Sequence, residues 1–575
     1  MSSRLASHTP ASGGPGLWIE AAAVAVARQG RVEWFGSPPH LFGLSRPPAE
    51  GFASFPRDSR PSRAELGRGI LNGTYALAGD VLRVGLGGDP WNRTSPSRAF
   101  AVELHKFGWL RHLLATGEAG AREGLRLIGE WGRTFGRWNS FAWGGEMLER
   151  RTLNLACAMG PIAALASEAE VQMLADLLAR HARHLLKVRD PAWRAAERAV
   201  AVGVAAATLS GRAGDRLLTK ALPCINRAVG RAALADGGHV SRSPETGMEL
   251  LLDLLTLDDG WAQRGFETPD EAARAIDRMT AAMRFFTLPD GQLACSQGGE
   301  ESDPALVVAA RVHDDAEAAG PPLHAPHAGY QRLIGRKLQV MVDVGRTAPR
   351  PWSVSSCAHP GAIEVVCGRD RLITNSGWSL RAPQAQALRL TDAGSTVALG
   401  HDSAGAPLGG WRGRVLGPRL VGGPPHVEVK RTQAEAGVWL DITHDGWLSS
   451  QGLIHERRLF LDLMNDELRG EDQFVPQGPS GPARVIPYTV HFHLLPEVEA
   501  VIARDHKSVL LRGPSEAGWW LRNDAVDVRV EPAVHFRDGR QVPTQQVVLM
   551  GHIRADKGGR VRWKLAAVEG GGPLG

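Results

Sequence analysis

Proton transfer needs imidazoles, carboxyls and cations on a firm backbone, and one stretch of the 575-residue chain concentrates them. Asp236-Gly-Gly-His239 sets an imidazole in a glycine turn, and Arg242, Ser243-Pro244 and Glu245 follow closely. His239 is the first candidate for a general base or acid, because imidazole can work in either direction near neutral pH. Glu245 joins it if its surroundings raise its pKa. Arg242, and Arg389 further on, can grip a carboxylate through two N–H donors. His359 could stabilise a developing anion or hold a metal. Arg151 and Asn154, three residues apart on a helix, could contact a ligand or tie helices together. Trp143, with Trp131 and Trp138, could stack on a flat ligand face or fill a core. Each of these residues has an unreactive reading as well. His239 could cap its own turn, and Arg389 could sit in an ion pair within a sheet.

The elements that must position these groups change character once along the chain. From Ser97 to about Phe286 the period is helical: Phe100, Val102, Leu104, Phe107, Leu110, Leu113 and Leu114 recur mostly at three- and four-residue spacing. Further helices are expected near 151–166, 168–187, 192–210, 213–234, 246–257 and 270–286, joined by short Gly/Asp turns. Such helices pack as antiparallel neighbours, and a run of hairpins can close into a ring. After Gly329 come short β-type runs separated by Gly, Pro and Asp, from Tyr330–Ile334 to Gln546–Met550, which predict an antiparallel β-sandwich. The expected class is α+β: an (α/α) toroid over 97–328, then a sandwich over 329–575. Residues 1–43 are expected to be a polar tail and a first helix, and 44–96, rich in Pro, Gly and Arg, a wrapping loop segment.

Composition narrows the function classes. At this length two large domains or more are expected. The net charge of +5 suits an acidic partner, but no Lys/Arg block marks a nucleic-acid arm. No stretch of ~18 apolar residues offers a membrane span, and no export signal is evident. The five cysteines are scattered, without CxxC spacing, so buried free thiols are expected and neither a disulfide framework nor a zinc site is indicated.

Several strings, in order along the chain, resemble the heparinase II/III family. They are Arg151-Thr-Leu-Asn154, Asp236-Gly-Gly-His-Val-Ser-Arg-Ser-Pro244, Leu288-Pro-Asp-Gly291, Gly298-Gly-Glu300, Gly329-Tyr-Gln-Arg-Leu333, Cys357-Ala-His359, Ile363-Glu364, His455-Glu-Arg-Arg-Leu459, Leu468-Arg-Gly-Glu-Asp472 and His491-Phe-His493. The resemblance implies a toroid joined to a β-sandwich, and cleavage of a uronic-acid polysaccharide by β-elimination in the cleft between them. On that reading His239, Glu245 and His359 are catalytic candidates. Arg151, Asn154, Arg242, Arg389 and Trp143 are substrate-binding candidates, and no cofactor is required. His491 and His493 lie on one strand face, and a structural divalent metal there would need a third ligand that the sequence does not name.

The chain departs from the family where its chemistry usually lies. Thr246 and Gly247 stand where a Tyr-His pair is common, Gly394 where a sandwich histidine falls, and Cys357 at the first position of a His-x-His pair. Arg and Glu occupy 193–201 in place of an Asn-His pair. The three tyrosines, Tyr75, Tyr330 and Tyr488, match no catalytic position. Three function classes follow: a lyase acting on an acidic polysaccharide; a family member that binds a cell-envelope polysaccharide without cutting it; and an assembly protein whose cleft is only a domain interface. The resemblance implies a cell-envelope or periplasmic site, and the lack of an export signal leaves the cytoplasm open.

Overall fold

The computed structural model describes residues 14–314, 320–381, 385–477 and 484–568. The first part of the expected tail, 1–13, and the end of the expected sandwich, 569–575, lie outside them.

The first helix, α1 (Pro15–Gly36), opens with proline at a position where the missing N–H costs nothing. Residues 49–63 then run as a strap across the helical domain. Ala53 N donates to Thr208 O (2.8 Å), Ser54 Oγ to Ala207 O (2.9 Å) and Arg57 N to Asp259 Oδ2 (2.8 Å). The wrapping segment is more than loop, because it adds a helix, Ala64–Leu71, and a hairpin, Thr74–Leu77 with Asp80–Arg83.

The helical domain is built around Ala195–Thr208, which is buried at every position from Ala196 to Thr208. A stretch of helix that is apolar on all sides belongs inside, and from Ala199 to Ala207 this one is wholly Ala, Val and Gly, so its neighbours close in tightly. At Gly203 a Cβ would stand 2.7 Å from both Ile225 Cδ1 and Leu257 Cδ1. Those side chains come from the flanking helices Gly211–Ala232 and Pro244–Gln263. Glu168–Leu185 starts with a reciprocal cap, Glu170 N donating to Ser167 Oγ and Ser167 N to Glu170 Oε2. Among the described residues no helix is long and apolar enough to cross a membrane. All five cysteines are free, but Cys224, expected to be buried, is exposed on the outer face of its amphipathic helix.

The second half is a sandwich of antiparallel sheets. One has eight strands in the order Val427–Ala434, Gly437–His444, Leu453–Asp462, Glu467–Pro476, Gly559–Ala567, Gly518–Asn523, Ser508–Arg512, Glu499–Ile502. The other has nine and includes Tyr330–Ile334, Leu338–Asp343, Ile363–Cys367, Asp370–Thr374 and Val485–Leu494. In the first sheet burial alternates residue by residue, so one face meets the core and the other meets water. Ile363–Cys367 and Asp370–Thr374 of the second are buried throughout, because that sheet is covered on both faces. Its strands feed two cores: Val340, Val342 and Val365 join the sandwich interior, while Tyr330, Met341 and Val366 pack into the helical one.

Two glycine substitutions test the packing with opposite signs. Gly203→Leu overfills the helical core and lowers stability by about 1–3 kcal/mol. Gly129→Ala, in a helix interior where a Cβ would meet nothing within 4 Å, raises it by about 0.5–1 kcal/mol. Urea unfolding of both variants reads the difference.

Candidate functional site

The junction of the two halves gathers part of the expected set. Ser243 Oγ caps the helix Pro244–Gln263 by accepting from Thr246 N (3.2 Å), which fixes Glu245 in the first turn. Glu245 faces the sandwich and is held at both oxygens. Arg381 Nε donates to Oε1 (2.9 Å), and Glu300 N donates to Oε2 (3.0 Å). Glu300 also accepts from Ser379 Oγ (3.0 Å) and Gly539 N (2.7 Å); burial, then the charge of Glu245, raises its pKa.

Arg242 has a left-handed backbone, φ +67°, and sends its guanidinium across the junction. It pairs with Asp343 and donates to Ala328 O (2.8 Å), Arg346 O (2.7 Å) and Gly329 O (3.1 Å). Tyr330 OH returns a hydrogen bond to Arg242 O (2.8 Å), and Gln297 Nε2 satisfies the second oxygen of Asp343 (2.7 Å). Arg242 and His359 line one small cavity of about 10 Å³, the room of roughly one water molecule. His359 Nε2 donates to Leu390 O (3.0 Å), and burial pushes its pKa down to about 4. Its ring fills the space beside Gly394, where a Cβ would lie 2.6 Å from His359 Cγ. The position expected for a family histidine therefore has no room for a side chain.

His239 sits on the helical side. Its Nδ1 accepts from Ser241 N (3.1 Å) and lies 2.7 Å from Ser241 Oγ, while Nε2 is buried with no partner among the described residues. Burial pushes its pKa down to about 4, against the pull of Glu197 and with the help of Arg194, so it is neutral at pH 7. Arg194 pairs with Glu149, whose pKa burial raises to about 7, and lies 3.6 Å from Glu197. Arg194 and Glu197 are the residues found in place of the family's Asn-His pair.

The remaining candidates make framework bonds. Arg389 donates to Ser356 O (2.8 Å), Ser353 O (3.0 Å) and Pro418 O (2.5 Å) with its guanidinium over Trp378. Arg151 is fully buried, donates to His105 O (2.9 Å) and Ala142 O (2.6 Å), and stacks on Trp131. Asn154 Nδ2 reaches Lys106 O (2.8 Å), and Trp143 Nε1 reaches Phe135 O (2.9 Å). The partners of these last three lie within the helical domain, away from the junction. His491 and His493 use both ring nitrogens on protein atoms, from Thr489 and Gln546 and from Ser376 and Asp392. Among the described residues no group of three His, Cys, Asp or Glu could hold a metal.

Three arginines that matter here were not singled out as site candidates. Arg371, with a fully buried side chain, grips Asp290 with Nε (2.8 Å) and Nη2 (2.9 Å) and reaches Glu364 (3.1 Å). Arg381 is the partner of Glu245. Arg457 clamps Asp472, which also receives His455 Nε2 (2.9 Å) and Trp563 Nε1 (3.1 Å).

The junction chemistry predicts two outcomes. Asp343→Ala strands the buried Arg242 cation and costs about 3–5 kcal/mol, read as a lower thermal unfolding midpoint. The second is acid sensitivity. His239 and His359 titrate near 4, and His105 and His493 near 3, all lowered by burial. Each takes up its proton at ordinary pH only after unfolding, so their contribution is intact above about 6.5 and is lost as pH falls through 4. The urea midpoint is therefore level from pH 8 to 7 and drops steadily below ~6.5; an unchanged midpoint at pH 4.5 would contradict the assignment.

Comparison with known proteins agrees with this architecture. Residues 318–564 match the family model "Heparinase II/III-like, C-terminal". Solved heparinase III superposes with a TM-score of 0.67 at 13% identity, covering 98% of this chain and 93% of that one. The heparan sulfate lyase HepC from Pedobacter heparinus gives 0.60 at 14%, covering 90% and 86%. At such identities the likeness is one of fold. A curated relative, FtsZ-localized protein C of Caulobacter vibrioides, is 50% identical over 561 residues, 96% of each chain. The chain therefore belongs to one family with FtsZ-localized protein C, and it pairs a heparinase II/III-like C-terminal domain with the toroid–sandwich fold of heparinase III.

Proposed function

We propose that this protein keeps the heparinase fold without the cutting chemistry, and works by binding as a component that localises with FtsZ. The observation that carries the first half is how fully the candidate groups at the junction are bonded within the protein. The cavity between Arg242, Asp343 and His359 measures about 10 Å³, whereas pockets that hold ligands run to ~300–1,000 Å³. β-Elimination needs a base for the C5 proton, an acid for the leaving oxygen and a donor for the enolate, all within reach of one sugar. Here the Glu245 oxygens are occupied, His359 is spent on a carbonyl and His239 is neutral and enclosed. An acidic polysaccharide, the partner that the resemblance implies, would have to be met outside this closed interface.

The second half rests on the 50% identity to FtsZ-localized protein C over nearly the full length, with the same fold supporting different work in different relatives. Tagged protein in living cells is expected to coincide with fluorescent FtsZ, and purified protein to co-sediment with FtsZ polymers, directly or after adding cell extract. Diffuse fluorescence through the division cycle, with no enrichment in either pellet, would overturn it.

A further inference from the structure

The outward face of the eight-stranded sheet carries an ordered set of side chains that neither the core nor the junction uses. Trp439, Phe460, Arg469, Lys564 and Arg522 are paired neighbours in one row across five strands. One pleat along, a second row reads Asp441, Arg458, Glu471, Arg562. The two rows wall a groove of about 440 Å³, within the ordinary range for a ligand site. With strands ~4.8 Å apart, the first row runs roughly 19 Å, long enough for several linked sugar rings.

Each end of the row has its own chemistry. Trp439, 36% exposed, lies stacked on Phe460 with ring centroids 4.4 Å apart and planes 25° apart, which gives a braced flat apolar face. At the other end stand three cations. Arg469 and Lys564 share Glu467, Arg469 lies 3.5 Å from Asp462, and Arg522 makes no side-chain hydrogen bond among the described residues. The second row adds acceptors, Asp441 and Glu471, beside the donors Arg458 and Arg562. A groove with an aromatic plate, an anion-seeking end, and donors and acceptors side by side suits a ligand with C–H ring faces, hydroxyls that both donate and accept, and a carboxylate. A chain of acidic residues alone would offer Trp439 no ring.

We propose that this groove binds a carboxylated oligosaccharide, one ring stacked on Trp439 and a carboxylate held by Arg522 and Lys564. The site is separate from the toroid–sandwich junction and does not depend on the FtsZ reading.

The test is calorimetric titration of the full-length protein with tetrasaccharides of galacturonate and of hyaluronan. Neutral maltotetraose and short polyglutamate serve as comparisons. Binding of a carboxylated tetrasaccharide is expected to weaken about tenfold or more in Trp439→Ala and in Arg522→Ala, as loss of a central anchor does. Both variants are surface changes whose melting temperatures should match the parent. Arg381→Ala, at the junction, should leave the affinity unchanged, and maltotetraose should bind more weakly. Three results would overturn the proposal: no binding of either carboxylated tetrasaccharide, affinity untouched by Trp439→Ala, or polyglutamate binding as tightly. None of them alters the expected co-sedimentation with FtsZ.

Discussion

A charge taken out of water must meet its opposite, and the joint between toroid and sandwich is built on that constraint. Arginine–carboxylate pairs cross it in both directions. Arg242 of the helical half ends on Asp343 of the sandwich, and Arg371 and Arg381 of the sandwich end on Asp290 and Glu245 of the helical half. Such pairs add little net stability over a well-packed apolar contact, yet losing one partner is expensive. They therefore act as registry: only one docking of the two halves satisfies them all together. Tyr330, Met341 and Val366 then fill the apolar space between, as the strands of the nine-stranded sheet alternate between two cores.

The same bonds occupy the junction groups that the sequence offered as candidates. Glu245 is pinned from two sides, Arg242 is saturated by carbonyls and Asp343, and His359 has taken the space beside Gly394. The polar groups left over, His239 Nε2 and one oxygen each of Glu149 and Glu197, are buried around Arg194. On the far face of the sandwich, by contrast, a row of aromatic and cationic side chains stands in register.

The switch from a 3.6-residue to a 2-residue period near Gly329 was legible in the sequence, and with it the order of the two domains. Strand Glu467–Pro476 was harder to see. Its inward positions include Gly470 and Asp472, because Trp563 fills the first site and Arg457 pairs at the second. No local pattern announces a strand whose core face is completed from elsewhere. The family strings were legible as strings, but their physical role was not. Asp290, Glu300 and Glu364 are halves of long-range pairs whose partners, Arg371 and Arg381, sit in unremarkable sequence. Arg151, Asn154 and Trp143 had both a ligand-contacting and a framework reading, and here all three hydrogen-bond to backbone carbonyls within the helical domain.

The most direct test of the central claim is ultraviolet absorbance of unsaturated uronate during long incubation with a panel of acidic polysaccharides, with an active heparinase run in parallel. A junction whose candidate groups are bonded within the protein predicts a flat trace on every polymer that the active enzyme family degrades. A rise in absorbance that His239→Ala abolishes would contradict it, and would return His239 to the centre of a working lyase site.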